Sequence, residues 1–454
     1  MNTFLNKTIK AYLGIALAIY FFLFVFWNNL FSYYNMLNLV VFASYAFLLY
    51  VCSYRPDEYF TKSRLSLTVF VYLLFFVIQY LSLSDYYTGN TMMFSEMDAK
   101  AYLRHSSHLA NIPLSKYLVY LKSIGWGYDD WGAPVVQSFL LTLVPSKLFV
   151  NFCYIVIGTI GACALFDIGR SIMQVKYAYI ASLSYSVASY SLFFCSSFLK
   201  EAILVFIVIE SFWFLYKYFS GEGFYHLFIG LSISLLLFFF RPPIAVFIWI
   251  AVGAYFIMQR GNNANSAIAL LVIFVIFSVA YSLVIENVNR YTSGGDITRT
   301  EGYVKGTRFT LLVSALGSLI GPFPERFSLG GGNLSYKALF GAGLLFKYLL
   351  FFPFWKGFMY CIRARHAIAY PLFVFAILEM SGLALVADGL ELRKALPHIP
   401  IYILAAFWWM SEYDEDVDEL IYQTRYYVWS RRIFNLCVIF ILFTTIVWNT
   451  ARLS

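Results

Sequence analysis

Long apolar stretches separated by short polar ones set the pattern of this chain. A helix needs about 20 mostly apolar residues to cross a bilayer. Stretches of that kind fall at 11–27, 36–52, 65–83, 147–168, 177–197, 202–218, 224–240, 243–258, 267–285, 342–358, 369–387, 396–410 and 433–447. The pattern predicts an all-α, polytopic transmembrane bundle of roughly thirteen spans. Two further apolar stretches, 134–144 and 310–320, are half that length and read as re-entrant or interfacial segments. Lys7 and Lys10 precede the first apolar run as they would in a signal peptide. No small-residue cleavage site follows, so a retained first helix is expected.

Short-loop charges give the orientation. Lys7, Lys10, Arg55, Lys62, Arg64, Arg170, Lys176, Lys217 and Arg260 fall on one side of the predicted bundle, as do Lys356, Arg363, Arg365, Arg425, Arg431 and Arg432. Loops rich in Lys and Arg stay in the cytoplasm, so this side is expected to be cytoplasmic and the protein to sit in a plasma membrane, as in a bacterial inner membrane. The acidic stretch 412–419 then reads as a solvated cytoplasmic loop. The chain divides into N-terminal spans (1–83), a first large extracytoplasmic loop (84–133) and core spans (134–285). A second large loop (286–341) and C-terminal spans (342–454) complete it.

Composition supports this reading. Of 454 residues, 61% are hydrophobic, 21% aromatic and 12% charged, with a mean hydropathy of +0.72. A soluble domain carries about 25% charged residues, and its surface could not hide this much apolar area. A disordered chain, a coiled coil, a secreted disulfide scaffold and a nucleic-acid binder are excluded. The six cysteines are scattered through apolar segments, which indicates neither a metal cluster nor a disulfide framework. The net charge of +8 is partly cytoplasmic anchoring.

Candidate chemistry collects on the opposite side. Glu96 and Asp98 form a paired-carboxylate motif, suited to a base or to helping hold a divalent ion. Capping of the helix that follows, with Tyr102 one turn from Asp98, is the bland alternative. His105 and His108 lie one turn apart but lack a zinc-site frame. Asp129 and Asp130 lie between Trp126, Tyr128 and Trp131, in a loop bracketed by Gly125 and Pro134. Such rings can stack on sugar C–H faces while Asp accepts hydroxyl hydrogen bonds, or they can form an interfacial aromatic belt.

Lys200 and Glu201 sit where two spans meet with almost no loop, either as a functional ion pair or as a mutually neutralised one. Arg241 precedes Pro242 and Pro243 at another junction, where its fork can grip phosphate or snorkel to headgroups. The second large loop carries Arg299, Lys305, Arg308 and Arg326. Lys and Arg gain nothing from topology on that side, so a lipid phosphate or diphosphate is a sensible counter-ion. Glu391 and Arg393 mark one more outer junction, and Glu210 and Glu379 fall inside spans.

The order of these features resembles the GT-C class of membrane glycosyltransferases. The shared pattern is an outer-loop acidic motif, a Gly/Asp/Pro string from Gly127 to Pro134 before a half-span, and a helix ending at Gly169 and Arg170. A Lys200–Glu201 helix start and an Arg241–Pro242 junction complete it. The resemblance covers roughly residues 90–260. It implies a GT-C-like fold, an extracytoplasmic active site, and a polyprenyl-(di)phosphate-linked sugar donor with a glycan or lipid-linked glycan acceptor. It also implies a role in cell-surface polysaccharide or lipopolysaccharide assembly.

By that resemblance Asp98 is the base, with Glu96 second. Lys200, Arg241 and one or more of Arg299, Lys305 and Arg308 face the leaving phosphate, and transfer inverts the anomeric centre. A divalent ion (Mg or Mn) bridging Glu96, Asp98 and phosphate is compatible with this scheme and not required by it. The chain is also similar to O-antigen or capsule repeat-unit polymerases, with Arg299, Arg308 and Arg326 in the phosphate-holding role. A lipid-linked glycan flippase is the rival of a different class, drawing on Glu210 and Glu379.

Overall fold

The structure, a computed structural model, describes residues 97–145, 147–188, 198–259, 350–385 and 395–416, together with Val71, Ser191 and Lys347. Every element among the described residues is helical. In chain order the helices are α1 (Met97–Ala110), α2 (Tyr117–Ser123), α3 (Gly132–Leu143), α4 (Lys147–Ile172), α5 (Val175–Val187) and α6 (Lys200–Phe219). They continue with α7 (Phe224–Leu235), α8 (Pro242–Met258), α9 (Phe351–Ala364), α10 (Tyr370–Leu385) and α11 (Ile399–Asp416). Short 3-10 turns at Leu114–Lys116, Tyr128–Asp130 and Leu236–Phe239 lead into α2, α3 and α8.

Two helices, Phe149–Ile172 within α4 and Lys200–Phe219, are long and apolar enough to cross a membrane. Shorter apolar helices include Pro242–Met258 and Tyr370–Leu383. The expected spans at 11–27, 36–52, 267–285 and 433–447 lie outside the described residues, as does all of 65–83 except Val71. The half-length segment expected at 134–144 is the twelve-residue helix α3.

Within the span expected at 177–197 the first helix closes at Val187, where Ala188 turns extended; of the rest only Ser191, again helical, is described. Ser182, Ser184 and Ser186 crowd that helix, and the Ser186 hydroxyl hydrogen-bonds back to the Ser182 carbonyl, a local bond that competes with the helix ladder. The acidic tail expected as a loop from 412 continues α11 through Asp416.

Helix boundaries follow local chemistry. Pro242 and Pro243 open α8, where missing N–H groups cost nothing. Arg365 closes α9 in the left-handed region (φ 53°), and its N–H and that of His366 return to the last-turn carbonyls of Ile362 and Cys361.

One large apolar core joins most of the helices, with Trp249, Trp408, Tyr154 and Tyr402 fully enclosed, and a small second one (Leu109, Tyr117, Leu121) seats α2 against the end of α1. α6 packs between α4 and α7, α5 bridges α4 to α11, and α10 lies between α8 and α11, with α9 against α11. In lipid, helices gain little from apolar transfer and associate through close packing. Gly169 shows this, because a Cβ there would lie 2.8 Å from the Ala178 Cβ across α4 and α5.

The bundle has two chemically different ends. The Gln174 backbone N–H donates to the Ser411 hydroxyl (3.0 Å) and the Tyr216 hydroxyl to the Ile368 carbonyl (2.8 Å). These bonds gather the α4–α5 turn, the end of α6, the α9–α10 turn and the end of α11. Arg170, Lys176, Lys217, Arg363 and Arg365 therefore mark one end. Lys200 starts α6 at the other, about 25 Å away along that helix at 1.5 Å per residue.

Candidate functional site at the head of helix 6

The loop before α3 and the junction before α8 meet at the first turn of α6. Lys200, nearly buried, extends its ammonium into this junction and donates to the Asp129 carbonyl (3.2 Å), the Phe240 carbonyl (3.2 Å) and the Asp130 carboxylate. Asp130 is 70 residues away in sequence, and its carboxylate also accepts from the Tyr102 hydroxyl of α1 (3.1 Å). One ammonium thus joins three segments, and Phe240, whose carbonyl it holds, directly precedes Arg241.

The 3-10 turn Tyr128–Asp130 makes this geometry possible by aiming the Asp129 carbonyl and the Asp130 side chain at the same point. Gly132 follows because the Phe240 ring lies where any Cβ would go, 2.4 Å from that position.

A neutral hydrogen-bonded layer supports the charged one. Gln137, fully buried on α3, donates to the Tyr154 hydroxyl of α4 (2.7 Å) and to the Phe198 carbonyl ahead of α6 (2.9 Å). Its amide oxygen accepts from Ser106 of α1 (2.8 Å). A buried amide satisfied from three elements fixes their register.

Aromatic walls flank the site. Trp126 packs edge-on against Tyr102 (5.5 Å between ring centres) and against His105 (4.5 Å). The Trp131 ring N–H reaches the Trp126 carbonyl at 3.3 Å. Trp126, Tyr128 and Trp131 are all half-buried. His105 lies 2.8 Å from the Tyr120 hydroxyl through Nδ1, and His108 stacks on the Tyr120 ring. Burial, then the adjoining Arg104 and His108, hold His105 below its ordinary 6.5, so the imidazole is neutral near pH 7.

The residues expected from sequence separate into groups. Asp129, Asp130 and Lys200 come together, with Arg241 one residue from the shared Phe240 carbonyl. Asp98 is exposed in the first turn of α1, not at its cap, four residues before Tyr102 and so on the same face.

Glu201 is fully buried, and its charge bears on the Tyr154 hydroxyl. The mutual Lys200–Glu201 pair is corrected: the partner of Lys200 is Asp130. Neighbouring residues on a helix do not face each other, so consecutive charges in a first turn find different partners.

Glu96, Arg299, Lys305, Arg308, Arg326 and Arg393 lie outside the described residues. Among the described residues no group of three or more His, Cys, Asp and Glu gathers.

Sequence reasoning passed over Gln137 as a site-forming residue. The signal was available: a primary amide inside an otherwise apolar half-span, where an unpaired polar group is costly.

No protein-family model matches the chain, and no curated protein matches its sequence.

Proposed function

We propose that this protein is a multi-pass membrane glycosyltransferase of GT-C-like architecture. It transfers sugar from a polyprenyl-(di)phosphate carrier at the extracytoplasmic face, in cell-surface polysaccharide or lipopolysaccharide assembly. The observation that carries the reading is the junction at Lys200. A nearly buried ammonium, the Asp130 carboxylate, the Asp129 and Phe240 carbonyls, a tyrosine hydroxyl and an arginine-bearing helix start converge at the end of the bundle remote from the Arg170, Lys176 and Lys217 end.

The division of labour follows from charge. Lys200 is matched to Asp130, so its main task is to hold the Asp129–Asp130 turn and the Phe240–Arg241 junction in register. Arg241 starts α8 beside that anchor, and its guanidinium fork suits the non-bridging oxygens of a lipid phosphate. As the bond from anomeric carbon to phosphate breaks, charge grows on those oxygens, where a fixed cation stabilises the transition state most.

In this scheme Asp98, one turn from Tyr102 and open to solvent, takes the proton of the acceptor hydroxyl. Direct in-line attack inverts the anomeric centre. Arg299, Lys305, Arg308, Arg326 and Arg393 are proposed to add positive charge for binding the phosphate. A divalent ion (Mg or Mn) at Glu96 and Asp98 would add charge neutralisation.

Lipid-linked glycans extracted from cells lacking the gene and resolved by thin-layer chromatography test this reading. The transferase reading expects an otherwise finished glycan missing one sugar, whereas accumulated single repeat units point to the polymerase variant. Unaltered glycan structures with carriers trapped on the cytoplasmic leaflet would refute transfer and favour a flippase. The same accumulation is expected with Arg241→Gln.

A further inference from the structure

A second group of ionisable side chains lies inside the bundle, apart from the Lys200 junction. Glu379 of α10 is 3% exposed, Lys347 ahead of α9 2%, and His398 ahead of α11 0%. His398 Nδ1 stands 3.3 Å from Glu379 Oε2. Even so, neither carboxylate oxygen nor either ring nitrogen completes a hydrogen bond among the described residues. Tyr402, one turn into α11, ties the cluster together by donating to the Lys347 carbonyl (3.2 Å).

α8, α9 and α11 pack against α10, and the ionisable groups they and their leading residues bring to this cluster are Arg241, Lys347, His398 and Tyr402. Positive charge reaches the Glu379 carboxylate from Arg241 first and Lys347 second. α8, the helix that Arg241 opens, packs along α10 with Phe247 against Gly382, one turn from Glu379, so the cluster and the residue assigned above to the donor phosphate share one helix interface.

A bare carboxylate in an apolar interior is costly, and a buried polar atom without a hydrogen bond calls for an explanation. A single proton supplies one here. A carboxyl and an imidazole 3.3 Å apart can share one proton once a small turn of either group aligns it, as O–H to neutral ring nitrogen or as carboxylate to imidazolium. With the proton on Glu379, the carboxyl is neutral and exerts little pull on Arg241. Without it, the carboxylate attracts the guanidinium toward the bundle interior.

We propose that the Glu379–His398 pair binds one exchangeable proton, and that its occupancy governs how strongly Arg241 is drawn away from an anionic phosphate at the Lys200 end. The second half rests on the function proposed above; the first does not. The proton comes from solvent, resides on Glu379 Oε2 with His398 Nδ1 accepting, and returns to solvent. No other bond forms or breaks. Glu379 is thus a positioning residue acting through Arg241.

The test uses the full chain in lipid nanodiscs with decaprenyl phosphate as probe, between about pH 5.5 and pH 8. The probe's own phosphate ionises near pH 6, but this cancels in the ratio of wild-type to Glu379→Gln dissociation constants. That ratio is expected to rise from about one at the acid end to about ten at the alkaline end, a gap of about 1.4 kcal/mol. A flat ratio overturns the coupling.

Infrared difference spectra between the two pH values test the proton site without the probe. A protonated-carboxyl band should be present in wild type and absent in Glu379→Gln. In Lys347→Met it should persist to higher pH, because a stabilising cation has gone. Absence of the band overturns the inference. If the band titrates as expected while decaprenyl phosphate binds at no pH, the proton site stands and the donor reading fails. Should Glu379→Gln not fold, His398→Gln serves instead, and an infrared titration identical to wild type would overturn the pair.

Discussion

Replacing Lys200 with Met tests the junction directly, because the two side chains have similar reach and differ in the ammonium. The change removes a charge-assisted bond to Asp130 and two bonds to the carbonyls of Asp129 and Phe240. All three are donated by the ammonium, and a hydrogen bond involving a charged group contributes about 1.5–3 kcal/mol, offset here by the desolvation cost that a nearly buried ammonium no longer incurs. The Asp130 side chain is 37% exposed, so water recovers part of its loss, and the expected cost is about 2–4 kcal/mol.

Equilibrium unfolding in mixed micelles, followed by tryptophan fluorescence, measures that cost. The double-mutant cycle with Asp130→Asn isolates the pair, and a coupling of at least about 1 kcal/mol is expected for residues in direct contact. A Lys200→Met protein within about 0.5 kcal/mol of wild type, or costs that simply add, would refute the geometry.

Gly132→Ala should destabilise by about 1–3 kcal/mol through overlap with the Phe240 ring, and in a thermal-shift assay that added cost should disappear when both proteins compared carry Phe240→Ala. Gln137→Leu should cost about 2–3 kcal/mol, since Ser106, Tyr154 and the Phe198 carbonyl all lose a partner; protease accessibility of the 84–133 loop should rise with it.

His105 is held below 6.5 in the folded chain, so the unfolded state binds more protons in the window just under that value. Stability should therefore rise as pH increases through that window, and His105→Gln should flatten the rise in unfolding measurements made in parallel. Equal slopes for both proteins would count against a buried neutral imidazole.

Much of the helical content was legible in the apolar runs. The runs at 202–218 and 243–258 differ by only a residue or two from α6 and α8, because lipid-length hydrophobicity and an opening proline are local signals. The half-length of α3 was legible for the same reason. The helix end at Val187 was less so, since no Gly or Pro marks it.

Within the site, Asp129, Asp130, Lys200 and Arg241 stood out as charges at the edges of apolar segments. Their partners did not, because pairing across 70 residues is set by how α1, α3 and α6 pack. Lys347 and His398 lay unmarked inside runs assigned as spans, although an ionisable group there is itself a signal. Their approach to Glu379 is visible only once α10 and α11 are side by side.

Photo-crosslinking tests the central claim most directly. A polyprenyl phosphate bearing a photoreactive group beside the phosphate, irradiated with the protein in nanodiscs and mapped by mass spectrometry, should label the 128–134 loop and the 240–243 junction. Arg241→Gln should lose most of that labelling. Crosslinks spread evenly over the lipid-facing helices, or concentrated near Arg170, Lys176 and Lys217, would contradict a phosphate site at the head of α6.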